Sequence, residues 1–166
     1  MIRRAFYIIL CMILGLAAFS GCKKDKKLEN ATIPRLLVET RGVNYGDPSG
    51  QVVTLPISRS SVAVQRDPLV NEFEIVNAEV VKVDAGMALL IQTTDKGGRD
   101  LYRGSVSNMG SRIVLMINGN AVGARRIDGA IRDGIFYTFV ELPDEALPEL
   151  VANIKETLIQ LQTMKK

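Results

Sequence analysis

Residues 112–127 read RIVLMINGNAVGARRI, and how this stretch folds decides the rest. Residues 113–117 are apolar at consecutive positions, so a strand at 112–118 needs cover on both faces and belongs in the middle of a sheet. Asn118-Gly119 is the strongest hairpin signal in the chain, because a type I′ turn needs positive φ at both central positions. Residues 120–127 then return as the partner strand. Arg125 and Arg126 sit side by side on it and face opposite ways if the strand is regular. One of them could offer a cation to a carboxylate or a peptide carbonyl. The plainer reading is that charged residues guard an edge strand against unwanted pairing.

Working outward, Asp133-Gly134 makes a turn into an aromatic-rich strand at 135–140. Pro143 opens a last helix whose stripe is Leu147, Leu150, Val151, Ile154, Leu158 and Leu161. Pro148 is compatible with that helix only in its first turn. Upstream, Asp95 is expected to cap a helix at 96–109, and Gly110 is a fitting stop. Gly97, Gly98 and Gly104 weaken this helix by up to about 1 kcal/mol each relative to Ala, so packing must hold it. Residues 87–94 form an uncharged strand, expected to be covered on both faces. Residues 72–84 alternate with two slips of phase, which predicts bulges. Residues 33–41 and 51–57 flank the turn chemistry of GDPSG at 46–50 and are expected to pair as a hairpin; a short strand follows at 61–65. The pattern predicts an α+β fold: an antiparallel sheet with two helices packed on it, plus an N-terminal β-hairpin region.

The first residues, MIRRAFYIILCMILGLAAFSGC, join a basic start to a charge-free apolar run and small residues ending in Cys22. That is secretory-signal chemistry, and the junction cysteine is similar to the bacterial lipobox. Residues 1–21 are therefore expected to leave as a lipoprotein signal peptide, with Cys22 acylated. The run is shorter than the roughly 20 residues that span a bilayer comfortably. Lys-rich residues 22–32 make a solvated tether. Once Arg3 and Arg4 leave, Lys+Arg falls from 21 to 19 against 18 acids, a net of +1. That balance gives no reason to expect a nucleic-acid partner. Cys11 leaves too, so no thiol remains beyond Cys22, and the chain has no histidine; the usual metal ligands and general bases are missing. About 135 residues remain, enough for one domain with a real core.

From about residue 95 to 161 the order of elements and turns is more specific. Asn108 and Gly110 end a helix, and an apolar strand runs into Asn118-Gly119. A return strand carries Ala124-Arg125-Arg126-Ile127, and Asp144 and Glu145 open the last helix. This resembles the periplasmic head subdomain of SecD, the accessory subunit of the preprotein translocase. Arg125 departs from the family's preferred Pro, and the Gly-rich stretch after the hairpin is reduced to Asp128-Gly129 and Asp133-Gly134. No apolar run after the signal approaches membrane-spanning length. The resemblance implies a SecD-head-like fold for 95–166, with 33–94 as the β-rich first part of the domain. It implies at most a polypeptide-handling role and not translocation itself.

Other sites find little support. Asp128, Asp133, Asp144 and Glu145 fall at turns or helix starts, where acids are expected anyway. Gly97-Gly98 lacks any phosphate-loop pattern. Ser58, Ser60 and Ser61 have no histidine, and the one Ser-x-x-Lys, Ser20 to Lys23, straddles the signal junction, so neither catalysis nor a metal or cofactor is expected. The reading is a non-catalytic lipoprotein, held at the cell membrane or outer membrane through Cys22 and facing the periplasm or exterior. It is expected to bind exported or envelope polypeptides through Arg125 and Arg126; the alternative is an envelope assembly scaffold. Labelled palmitate should enter the wild-type protein and not Cys22→Ser, and label persisting in the variant would refute the assignment.

Overall fold

The central strand of the molecule is β6 (Arg112–Ile117), and five consecutive side chains of it, Ile113 to Ile117, are 0–8 % exposed. In this computed structural model residues 31–40 and 50–164 are described. Cys22, the tether to residue 30 and the 41–49 stretch lie outside them. The other elements are β1 (Pro34–Val38), β2 (Gly50–Thr54), β3 (Ser61–Gln65), β4 (Ile75–Val83), β5 (Gly86–Thr93), α1 (Asp95–Ser107), β7 (Asn120–Arg126), β8 (Ile135–Thr138) and α2 (Leu147–Met164).

The fold is α+β, and among the described residues every strand pairing is antiparallel, but the strands form three small sheets rather than one: β1-β6-β7, β2-β3 and β4-β5-β8. β6 lies between β1 and β7, as its unbroken apolar run requires. Ile113, Leu115 and Ile117 point to one side, into a cluster with Leu36, Val38, Leu89, Ile91, Phe136 and the α2 residues Ile154 and Leu158. Val114 and Met116 point to the other, into a second cluster closed by Leu55, Val62 and Val64 of the β2-β3 hairpin. Each such aliphatic chain, fully buried, stabilises the fold by about 1.5–3 kcal/mol relative to an exposed one.

The expected pairing of 33–41 with 51–57 is not what forms. β1 pairs with β6, from Pro34 opposite Ile117 to Val38 opposite Ile113, and β2 pairs with β3. Burial decides this: Leu36 and Val38 reach the main cluster while Leu37 reaches the second one, a placement only a neighbour of β6 can have. Glu39 fixes the far end, its carboxylate accepting Arg112 Nη2 at 2.7 Å and Nε at 3.0 Å as well as the Arg112 amide at 2.9 Å.

Asn118 and Gly119 adopt φ of +50° and +83°, the turn their chemistry predicts. Asn118 also anchors the start of the domain. Its Oδ1 accepts the Ile33 amide at 2.7 Å and its own amide donates to the Ile33 carbonyl at 3.0 Å. Next to it, the Thr32 amide donates to Thr157 Oγ1 of α2 at 2.8 Å. The leading residues are thereby tied to both the hairpin and the last helix.

Three local expectations need correction. Residues 72–74 form a 3-10 turn capped by Asn71, not strand, and β4 has a single register shift, between Ile75 and Asn77. Thr94 rather than Asp95 caps α1, its Oγ1 accepting the Gly97 amide at 3.1 Å. Pro143 leads into a 3-10 turn at Asp144–Ala146, and α2 starts at Leu147, which leaves Pro148 in its first turn. The α1 glycines have a packing reason: a Cβ at Gly104 would lie 2.4 Å from Leu69 Cδ1, and one at Gly97 would lie 2.9 Å from Thr93 Cβ.

Glu141 fastens the β2-β3 hairpin to the segment before α2. Its Oε2 accepts the Ile57 and Ser58 amides, each at 2.8 Å. The Ser58 side chain, and then these two amides, hold its carboxyl below the ordinary 4.5. A depressed carboxyl contributes stability that is present above its ordinary value and is lost as pH falls through the folded one.

Gly119→Val should destabilise the domain by about 1–2 kcal/mol, because a β-branched residue holds positive φ poorly, and a thermal melt reads this directly. Glu141→Gln should lower the melting temperature at neutral pH yet lose less of it than the wild type as pH falls below 4.5. Parallel curves for the two proteins would show that Glu141 is not the acid-sensitive tie.

Candidate functional site

β7 carries the small residues Ala121, Gly123 and Ala124, which give a second backbone room to approach. The chain uses that room itself. The Glu141 amide donates to the Val122 carbonyl at 2.7 Å, and a Cβ on Gly123 would stand 2.4 Å from the Phe139 carbonyl oxygen. This crossing is why β8 stops at Thr138 instead of running to Val140.

Arg125 and Arg126 do diverge. The Arg125 guanidinium lies over the Tyr137 ring, 4.3 Å from its centroid, and Nη1 donates to the Tyr137 carbonyl at 3.1 Å. Such a stack contributes about 0.5–1 kcal/mol at an exposed site. Arg126 stands on the open surface with Nε 3.8 Å from Asp128, a pair of side chains both more than 70 % exposed; water screens it to little value. The structure therefore does not bring the two cations to one point.

What lies beneath Arg125 is the more informative feature. The register of β4-β5-β8 sorts its side chains into two faces. Ala78, Leu89, Ile91 and Phe136 look inward to the main cluster, to which α1 contributes Leu101 and α2 contributes Val151, Ile154 and Leu158. The outward pairs are Glu79 with Leu90, Val81 with Ala88, Leu90 with Tyr137, and Gln92 with Ile135. Among the described residues neither helix covers this outer face. Val83, Tyr137 and Phe139 are 39, 43 and 50 % exposed. Ala124 and Arg125 overhang one end, where they and Val83, Ala88, Tyr137 and Phe139 line a groove of about 300 Å³. At the other end Asn77 Nδ2 donates to Gln92 Oε1 at 3.0 Å and to Glu79 Oε1 at 2.8 Å. The face thus runs from a polar cluster, across an apolar middle, to one cation.

This face was missed in the sequence. The uncharged β5 was expected to be covered on both sides, yet Leu90 on its outer side is only half-buried. The available signal was parity: Asn77, Glu79 and Gln92 share the outer side with Tyr137. Among the described residues no three acids converge to hold a metal, and a cleft of about 650 Å³ at the start of α1 mixes Arg99 and Arg132 with Asp95 and Asp133. Its Gly98 faces Gly134, at 3.4 Å from a would-be Cβ to the Gly134 Cα, so the glycine pair serves close packing.

No protein-family model and no curated protein sequence matches the chain. Solved structures do. SecDF in a super-membrane-facing form superposes with a TM-score of 0.57 at 14 % identity, over 75 % of this chain and 18 % of that one. A second structure, of SecDF as a membrane component that enhances protein export, gives 0.57 at 14 % identity over 82 % of this chain and 70 % of that one. The chain spans less than a fifth of the first SecDF chain. At this identity the likeness speaks for architecture, and over part of its length the protein has a SecD-like fold.

Proposed function

We propose that this protein is a lipid-anchored module of the cell envelope that binds exported or envelope polypeptides without chemically altering them. The observation that carries the reading is the uncovered outer face of β4-β5-β8, apolar at Val81, Leu90 and Tyr137 and bordered by Arg125. An apolar surface beside one cation suits an extended chain with hydrophobic and acidic residues, and nothing in it suits bond making. The likeness to a component that enhances protein export supports the same reading. Cys22 would hold the module at the membrane, and the lysines after it would add a second, electrostatic attachment. Arg125 meets the polypeptide at the groove, and Arg126 adds charge on the neighbouring surface. Contacts of this size bury under about 1,200 Å² and are transient.

A photo-crosslinking residue placed at Tyr137 in the full-length protein should capture polypeptides in intact cells. The same residue at Ile159, exposed on α2, should not. Arg125→Glu with Arg126→Glu should reduce capture and the salt dependence of binding, at a stability cost of only about 0.5–1 kcal/mol from the lost stack. Equal capture from both positions, or from neither, would sink the reading and leave the envelope scaffold in its place.

A further inference from the structure

Among the described residues the longest open strand edge belongs to β4; the short outer edge of β2 also lacks a strand partner. β1 is closed at Leu36, whose amide donates to the Val70 carbonyl at 3.0 Å, and beyond it the Thr40 amide donates to the Ala63 carbonyl of β3 at 2.8 Å. β7 is closed at Val122 by Glu141, and the β8 carbonyl of Tyr137 is taken by Arg125. β4 is the longest strand, nine residues, and stands at the outer end of β4-β5-β8. Among the described residues its only strand partner is β5. Every second residue of an antiparallel strand turns its N–H and C=O away from its partner. On β4 none of these outward groups finds a protein partner among the described residues.

Natural edges are usually blunted by bulges or inward charges. Here the bulge lies at the start, between Ile75 and Asn77, and the inward-side Lys82 lies near the end. The register between them is unbroken. This stretch also borders the uncovered face, so a strand laid against it would set alternate side chains beside Glu79 and Val81 on that face, and the others beside Val80 and Lys82.

Resting on the polypeptide-binding reading above, we infer that the outer edge of β4 takes up an extended polypeptide as an added strand. Backbone pairing supplies the grip, and the uncovered face selects alternate apolar side chains. Charge argues for a foreign chain over a second copy. Glu79 and Lys82 lie on opposite faces of β4. A two-fold copy opposes only residues of the same face, so Glu79 of one copy never meets Lys82 of the other, and a copy centred on Val80 sets Glu79 diagonal to its own equivalent. A different chain can bring a cation to Glu79 and an acid to Lys82.

The test uses the full-length protein in detergent and a short peptide of alternating Val and Thr with flanking lysines. Amides of residues 76–82 should become protected from hydrogen exchange on binding, while those of 121–126 stay as they were. Methylating alternate backbone nitrogens of the peptide keeps its side chains and removes its donors; affinity should fall about tenfold or more, as expected for several lost backbone hydrogen bonds. Glu79→Lys should weaken the lysine-flanked peptide severalfold with an unchanged melt. If the methylated peptide binds equally well, or protection appears at 121–126 instead, the edge proposal is overturned while binding on the open face stands. If the free protein self-associates with 76–82 already protected, the occupant is a second copy and the proposal is likewise overturned. Absence of any peptide binding, together with absence of capture at Tyr137, removes both.

Discussion

Everything in this domain depends on a strand that needs hydrophobic cover on two sides. β6 offers aliphatic chains above and below its plane, and neither helix could satisfy both. The main cluster lies between β6 and the α2 helix, with β4-β5-β8 closing it; the second lies between β6 and the β2-β3 hairpin. The chain is therefore layered, with β1-β6-β7 as the inner sheet. The hairpin, though small, completes the cover of β6, which explains why a carboxylate from the far side of the sequence, Glu141, is used to hold its loop.

Legibility in the sequence followed the range of the forces. The Asn118-Gly119 turn, the Gly110 stop and the α2 stripe are set by residues within one turn or hairpin, and all were readable; Gly110 indeed takes φ of +82°. The partner of β1 was not. A strand followed by GDPSG and another strand suggests a local hairpin, but Leu36, Leu37 and Val38 feed both clusters, and only the folded β6 reveals that need. The helix cap was misplaced by one residue, because Thr94 and Asp95 both carry an oxygen able to cap and backbone direction chooses between them.

The candidate site was half legible for the same reason. The divergence of Arg125 and Arg126 comes from strand alternation and could be foreseen. Tyr137 as the seat of Arg125 could not, since β7 and β8 belong to different sheets and are not paired strands. Gly123 shows how a residue suited to receiving a stranger's backbone can already be spent on the chain's own. A small-residue stretch on a strand signals close approach, without saying whose backbone approaches. The apolar outer face of β4-β5-β8 posed a similar problem, because hydrophobic parity is equally consistent with a covered face and an open one.

The tie at Thr32 and Ile33 has a mechanical consequence. Tension applied to the chain ahead of Thr32 reaches β1 along its own axis. The bonds joining β1 to β6 run across that axis, from Pro34 opposite Ile117 to Val38 opposite Ile113, so they share the load at once in shear and do not open one after another. The first link to feel the pull is the Thr32–Thr157 bond, set against α2. A tug on the leading segment is thus delivered first into the middle layer of the domain and not into the sheet that carries the β4 edge and the open face.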